Sequence, residues 1–331
     1  MVESNISNQW VSVGYNFKTE EGGLPLSIGL GYLENKFDYG KFVVTGSDRP
    51  EPIGEYNPYE QFKSISIGAS YDYYLLFNLG FSIKMYKSKL GKYFVDNRIE
   101  ESIATGTAFD LGLMVTTPIT KLVFNDYKIN LNTNSSLKPN FDFTLGYSLS
   151  NLGKEVIYSD PAQADPLPRM ARLGYSFNFS LEFSNTKVEK FSFIDYSFTA
   201  ESDDFLINRN TTGKYEYQNP FGGIKPVKHL IELKGDDYVI VHKGHILRLF
   251  ETLTLVSGRF NGRGYDHRKT SGIGVSSEGL FKLLNSAFDV PGLNYFTKHF
   301  VCEYYETIIF KESILETRMN GIVLSYKGFF F

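Results

Sequence analysis

The chain has 331 residues, of which 42% are hydrophobic and 21% charged, and its formal net charge is −3. This length allows one large domain or two ordinary ones. The small net charge and many aromatic residues argue against a disordered chain, and the missing basic excess argues against a nucleic-acid binder. The single cysteine, Cys302, excludes an intrachain disulfide framework and a multi-cysteine zinc site. Aromatic residues make up 16% of the chain although its mean hydropathy is −0.21.

No stretch of the sequence approaches the roughly 20 consecutive apolar residues that a transmembrane helix needs. The N-terminus, beginning Met-Val-Glu-Ser-Asn, also lacks the basic start and apolar core of a signal peptide. A closed barrel of alternating strands is the second way to cross a bilayer, and hydropathy windows miss it because each strand is short and only half apolar.

Regular alternation of apolar with small or polar residues recurs along the chain, first at 24–32, 64–73 and 79–85. It continues at 141–150 and is clearest in 171–183. There one face carries Leu173, Tyr175, Phe177, Phe179, Leu181 and Phe183, and the other carries Arg172, Gly174, Ser176, Asn178, Ser180 and Glu182. A period of two indicates strands. A soluble sandwich would also bury an apolar face, but strand length, repetition and aromatic content favour a membrane barrel.

This pattern predicts an all-β fold, a single transmembrane antiparallel β-barrel over residues 1–331 with about 13 strands. They are predicted near 8–18, 24–36, 61–74, 78–90, 106–117, 140–150, 169–183, 188–200, 226–235, 244–256, 268–277, 298–309 and 316–331. The stretch Ser277–Ala287 has apolar residues at helical spacing after a serine N-cap candidate, so it predicts a short amphipathic helix.

Connection lengths predict the topology. The short links are predicted at 19–23, 75–77, 184–187 and 236–243, and the long links at 37–60, 91–105, 151–168, 201–225 and 257–267. The links at 118–139 and 278–297 are long on the otherwise short side. Barrels have short periplasmic turns and long extracellular loops, and single-chain bacterial barrels have even strand numbers. We therefore expect about 14 strands in the natural protein, with at least one strand and the signal peptide upstream of Met1.

Several segments resemble one family of outer-membrane proteins. Asp165–Phe177, Ala108–Leu113 and Thr270–Val275 are similar to stretches of PorV/PorQ-like proteins, within the wider FadL-like barrel superfamily. The C-terminus, Gly-Phe-Phe-Phe331 after a strand whose face carries Ile322, Leu324, Tyr326 and Phe330, resembles a barrel sorting signal, although Lys327 and Ser325 lie in the register of the terminal Phe. The family's signal peptide and luminal N-terminal hatch are absent here.

The resemblance implies a non-enzymatic component of type IX secretion in the bacterial outer membrane. Such a protein binds the C-terminal signal domain of exported cargo, or a translocon, at the cell surface. The alternative that it implies is a FadL-like channel for hydrophobic small molecules. Outer-membrane lipid is then a further partner, and no cofactor is expected.

Candidate residues fall into two sets. The lumen-facing charges are predicted to be Asp72, Lys84, Asp110, Asp142, Arg172 and Glu182, because a charge facing lipid at the midplane costs about 2–4 kcal/mol. Aromatic-rich outer loops suit protein recognition, although the same rings would also suit an interfacial girdle. The residues singled out there are Tyr56, Asn57, Tyr59, Tyr215, Tyr217 and Phe221.

Catalytic and metal sites are not predicted. The pair His242 and His245 lies in a predicted turn without a carboxylate pattern, so a metal site there is disfavoured. Asp236 and Asp237 are typical of a turn. The group Asp266, His267 and Ser271 could suggest a hydrolase, but a solvated loop explains it better.

Overall fold

The fold is all-β and barrel-like, and it is built on one large antiparallel sheet. The computed structural model describes residues 7–18, 25–45, 52–95, 98–124, 127–133, 135–158, 164–185, 188–209, 215–288, 292, 295 and 299–326. The strands are β1 Ser7–Lys18, β2 Leu26–Asp38, β3 Phe42–Thr45, β4 Pro52–Tyr56, β5 Tyr59–Asp72, β6 Leu76–Val95, β7 Arg98–Pro118, β8 Ile129–Asn132, β9 Ser135–Gly153, β10 Met170–Asn185, β11 Val188–Phe205, β12 Ile207–Arg209, β13 Tyr215–Tyr217, β14 Val239–Leu249, β15 Leu253–Gly262, β16 Tyr265–Ser276, β17 Phe300–Lys311 and β18 Thr317–Tyr326.

The main sheet follows chain order from β1 through β2, β5, β6, β7, β9, β10, β11, β14, β15, β16 and β17 to β18, with β8 paired beside β9. Every neighbouring pair is antiparallel, and β3–β4 and β12–β13 form two small separate hairpins. Within the described residues there is also α1 Ile119–Phe124, a π-helix Val227–Ile231 and α2 Ser277–Phe288. None of these helices is long and apolar enough to span a membrane.

The sheet does not pack both of its faces into a buried core. The chain exposes 21882 Å², whereas a compact protein of this mass would expose about 14,000 Å². One face carries large exposed apolar side chains such as Leu30, Ile67, Leu79 and Leu113. The other face carries mainly glycine and small polar residues, and we call it the inner face because a barrel wall turns its bulky side outward.

Junctions between strands fall at two ends of the sheet. The long-loop end holds the β3–β4 hairpin, the segment between β9 and β10, and the segment between β11 and β14. The short-turn end holds compact junctions such as 73–75 and 250–252, together with α1 and α2. This division confirms the predicted separation of long and short links in outline, including the long links that contain α1 and α2.

Two strand predictions are wrong. One predicted strand is absent and another is two strands, so the number of strands on the main path still equals the predicted 13. The predicted strand 226–235 is instead the π-helix and its flanks, which begin after Pro226. The predicted strand 244–256 is two strands, because Phe250 and Glu251 adopt left-handed backbone angles (φ 53° and 52°) that reverse the chain. Residues with left-handed backbone angles are typical of tight hairpins. The sequence has no Asn-Gly pair at this point, so the usual signal for such a turn is missing.

Two predicted long links are also wrong. Residues 91–105 lie largely in β6 and β7, which extend the sheet well past its neighbours. Residues 257–267 form β15 and β16, joined through Arg263 and Gly264 at positive φ. The predicted short link 236–243 is half strand, since β14 begins at Val239. The predicted helix Ser277–Ala287 is confirmed as α2.

Candidate functional site at the long-loop end

Two of the predicted lumen-facing charges pair with each other on the inner face, and a third pairs with Glu201. Lys84 lies 2.8 Å from Asp110, its neighbour across the β6–β7 ladder, and its ammonium also donates to Asn151 Oδ1 at 2.7 Å. Arg172 lies 3.8 Å from Glu201, but both side chains are more than a third exposed, so this pair contributes little. The remaining predicted charges are distributed separately: Glu182 stands opposite Lys138, Asp142 opposite Asn178, and Asp72 lies exposed at the short-turn end.

Small residues leave space along the inner face. Gly29, Gly68, Gly80 and Gly112 are successive cross-strand neighbours on β2, β5, β6 and β7. A cavity of about 460 Å³ continues this space toward β11, and its inner-face lining includes Gly112, Thr144, Gly146, Gly174 and Thr199. Its polar groups are hydroxyls and amides together with the Arg172–Glu201 pair.

The described parts of the segment between β9 and β10, residues 154–158 and 164–169, fold over this inner face, and together we call them the luminal cover. Leu167 is buried and packs so closely on Gly153 that a side chain at Gly153 would collide with it. Beneath the cover Ala104 and Ala108 are buried in turn. Tyr158 donates a hydrogen bond to Ser88 at 3.0 Å. The small side chains therefore make room for the cover at the mouth of the lumen.

Arg169 fixes the end of the luminal cover. Its guanidinium donates to the carbonyl of Gly153 at 2.6 Å and lies 3.4 Å from the ring centre of Tyr217. The hydroxyl of Tyr217 accepts a hydrogen bond from the backbone N–H of Leu167. Burial and a hydrogen bond to Glu155 raise the pKa of Tyr215 to about 12. The β12–β13 hairpin is thus attached to the luminal cover through both of its tyrosines.

The segment between β13 and β14, residues 218–238, folds to the opposite side of the wall, and we call it the wall cover. Ile224 of this segment packs with Leu173, Val239 and Val241 in a buried cluster. The ring of Phe221 stacks on Tyr147 at 5.0 Å. Because Tyr147 and Leu173 are cross-strand neighbours on the bulky face, the wall cover lies on the outer face of β9, β10, β11 and β14.

Polar groups hold the wall cover from within. The carboxylate of Asp236 accepts from Lys228 at 2.8 Å, from His229 at 3.1 Å and from the backbone N–H groups of Tyr238 and Val239. His229 is completely buried. Its Nδ1 accepts from the backbone N–H of Lys225, so Nε2 is the nitrogen that donates to Asp236.

Hydrogen bonding controls the ionisation of Asp236. Burial acts to raise the pKa of this carboxyl group, but the hydrogen bonds from Lys228, Val239, Tyr238 and His229 together lower it well below the usual range. Asp236 is therefore an ionised structural anchor. Its turn geometry confirms the turn that the sequence predicts at this point.

The predicted partner-contact residues all lie at the long-loop end, but they do not form one cluster. Asn57 and Phe221 are exposed. The four tyrosines are partly buried in contacts within the chain: Tyr56 packs on Phe42, Tyr59 lies under Lys36 and Lys87, and Tyr215 packs on Tyr217. Much of the predicted recognition surface thus serves to hold the loops.

The histidine pair is misplaced in the sequence prediction. His242 and His245 lie in β14 rather than in a turn, and their odd spacing puts them on opposite faces. His242 contacts Asp203 at 2.9 Å, and His245 contacts the hydroxyl of Tyr196 at 2.8 Å. No cluster of metal-ligating side chains occurs among the described residues. The side chains of Asp266 and His267, and residues 327–331 at the C-terminus, lie outside the described part of the chain.

The functional contacts of His229, Asp236 and Arg169 were missed from sequence. Pro166, Pro168 and the Asp236–Asp237 pair signal loops, but nothing in a strand-alternation pattern shows which face of the wall a loop will cover. A signal was nevertheless present in 226–235, where a strand was predicted although Pro226 and Lys228 interrupt the alternation.

The chain has little similarity to known proteins. No family model and no curated protein matches the chain. Among solved structures it is similar to the open form of the ferric-catecholate import receptor Fiu from E. coli K12, at a TM-score of 0.31 and 10% identity. The match covers 97% of this chain and 55% of the receptor chain, so this chain spans about half the receptor's length. At this TM-score the similarity carries no argument.

Proposed function

We propose that the protein is a barrel of the bacterial outer membrane and acts as a non-enzymatic component of PorV-type protein secretion. In this proposal its long-loop end binds exported cargo, or the translocon that delivers it. The observation that carries the proposal is the luminal cover: Leu167 packs on Gly153, Arg169 donates to the Gly153 carbonyl and Tyr158 bonds to Ser88, which holds the described parts of this segment against the inner face near the rim. A lumen whose mouth is covered suits binding at the rim better than free diffusion of solutes through the barrel.

The chemistry of the lumen supports the same choice. A channel for hydrophobic small molecules would favour an inner face without charges, whereas the Lys84–Asp110 and Arg172–Glu201 pairs lie on this face. Rim residues that remain exposed, Asn57 and Phe221, are the surface we expect cargo to contact.

Purification from native outer membranes tests this function. Tagged wild-type protein is expected to retain translocon subunits or proteins that share a C-terminal signal domain. The double variant Asn57→Ala, Phe221→Ala should lose them. The matched control Val123→Ala, which changes an exposed residue of α1 at the short-turn end, should retain them. A preparation that carries a hydrophobic small molecule and none of these proteins would instead support the channel.

The barrel itself has a simpler test. The folded protein should be found in the outer-membrane fraction and should migrate differently on a gel before and after boiling. A cytosolic protein without this shift would end the proposal.

A further inference from the structure

We infer that the lower part of the wall cover, around the π-helix Val227–Ile231, is immersed in the membrane interface and that the exposed side chains of Val227 and Ile231 contact lipid. The inference rests on the proposed outer-membrane location. It adds that one loop of the long-loop end turns back along the outside of the barrel, so that lipid meets this loop instead of the strands beneath it.

The first argument is how far the wall cover descends. The hydroxyl of Tyr175 donates to the backbone carbonyl of Leu230. Tyr175 lies five residues along β10 from its start at Met170, which is about 16 Å along the strand and about 12 Å along the axis of a barrel with tilted strands. With 16 residues, β10 is longer than is needed to cross the apolar band of an outer-membrane barrel, which is about 25 Å tall. The lowest part of the cover therefore lies near the upper edge of that band.

The second argument is that the wall cover exposes large apolar side chains. Ile231 and Val227, on the same short helix, are 73% and 63% exposed, and Tyr238 is exposed as well. The cover has a buried apolar cluster around Ile224, and these side chains stay outside it. Exposed apolar side chains grouped on one short segment are typical of a surface that meets an apolar environment.

The third argument is continuity with the wall. The same outer face carries exposed Leu145 and Phe177 next to the area that the cover protects. The cover carries charged side chains as well: Lys228 and Lys234 pair with Asp236 and Glu232, and Lys225 and Asp237 are exposed. Charged and apolar side chains together on one segment are typical of the membrane interface.

Fluorescence quenching in liposomes tests the inference. The chain has one tryptophan, so Trp10→Phe gives a background into which Ile231→Trp is introduced. Two further variants in the same background serve as references: Leu145→Trp on the exposed wall and Ile314→Trp, which is fully exposed between β17 and β18. Each protein is reconstituted in vesicles whose phospholipids carry bromine at defined depths, and acrylamide is added as the aqueous quencher.

We expect lipids brominated near the headgroup to reduce the Ile231→Trp emission about two-fold, as an interfacial depth of about 5–10 Å implies. Leu145→Trp should be quenched by more deeply placed bromine, and Ile314→Trp only by acrylamide. Val227→Trp repeats the measurement should Ile231→Trp fail to fold.

Two results would overturn the inference. Quenching of Ile231→Trp by acrylamide alone would place the cover in water, and protection from both quenchers would mean that protein covers it. In either case Leu145→Trp is still quenched by lipid. If Leu145→Trp itself escapes quenching by lipid, the outer-membrane proposal has failed instead.

Discussion

The luminal cover and the wall cover begin at the same end of the same sheet, yet they fold to opposite faces. The luminal cover lies over Ala104, Ala108 and Gly153, where the wall offers almost no side chains. The wall cover lies over Leu173 and Tyr147, where the wall is bulky. The difference shows that the size of the wall residues decides which kind of loop can pack there.

The bonding of the two covers differs accordingly. The luminal cover is held mainly by individual hydrogen bonds and by the stacking of Arg169 on Tyr217. The wall cover combines an apolar cluster with one buried polar centre, Asp236 and His229. A single substitution should therefore damage the wall cover more than the luminal cover.

The largest effect is expected at the polar centre of the wall cover. Asp236→Ala removes the acceptor of Lys228 and of the fully buried His229 and should lower the free energy of unfolding by about 3 kcal/mol, because several hydrogen bonds to a charged group are lost. The measurement is the fraction of protein that still migrates as the folded band on a gel as the urea concentration rises. The control Asp237→Ala, at the exposed neighbouring position, should change little. Equal effects of the two variants would show that the hydrogen bonds of Asp236 do not stabilise the wall cover.

The same carboxylate predicts a pH dependence. Because its folded pKa is lowered, Asp236 stabilises the protein above its unfolded pKa of about 3.8, and this contribution falls as the pH drops further. The stability difference between wild type and Asp236→Ala should thus shrink between pH 7 and pH 3. Urea midpoints at the two pH values measure it, and a constant difference contradicts the lowered pKa.

An intermediate effect is expected under the luminal cover. Ala108→Leu inserts bulk where Leu167 packs, so we expect a loss of about 2 kcal/mol and faster passage of small polar solutes in liposome swelling. Ala69→Leu, on the exposed outer face of β5, is the matched control and should change neither property. Unchanged swelling in Ala108→Leu would mean that the cover does not restrict the lumen.

The smallest effect is expected at Tyr217. Tyr217→Phe keeps the ring beneath Arg169 but removes the acceptor of the Leu167 N–H, which should cost about 1 kcal/mol. Tyr238→Phe removes an exposed hydroxyl and serves as the control. The urea midpoint again reports the difference, and a cost above that of Asp236→Ala would reverse the ranking of the two covers.

Alternation predicted the wall because it is a local property: β2, β5 and β10 lie where their apolar residues repeat every second position. The π-helix and the turn at Phe250–Glu251 escaped because tertiary contacts, such as His229 with Asp236, override local preference. Pairs such as Lys84 and Asp110 were expected to face inward, but their pairing depends on the register of β6 and β7, which composition does not fix.

The sequential order of the sheet also bears on how the chain assembles. From β1 to β18, each strand of the main path pairs with the strand of that path that precedes it. Each pairing closes only the loop between neighbouring strands, and the long loops cost little more than the short ones because the entropy of loop closure rises slowly with loop length. The wall can therefore grow by adding one strand at a time, and local growth favours fast folding. Both covers pack on strands from either side of their own loop, so we expect them to be added after the wall beneath them has formed.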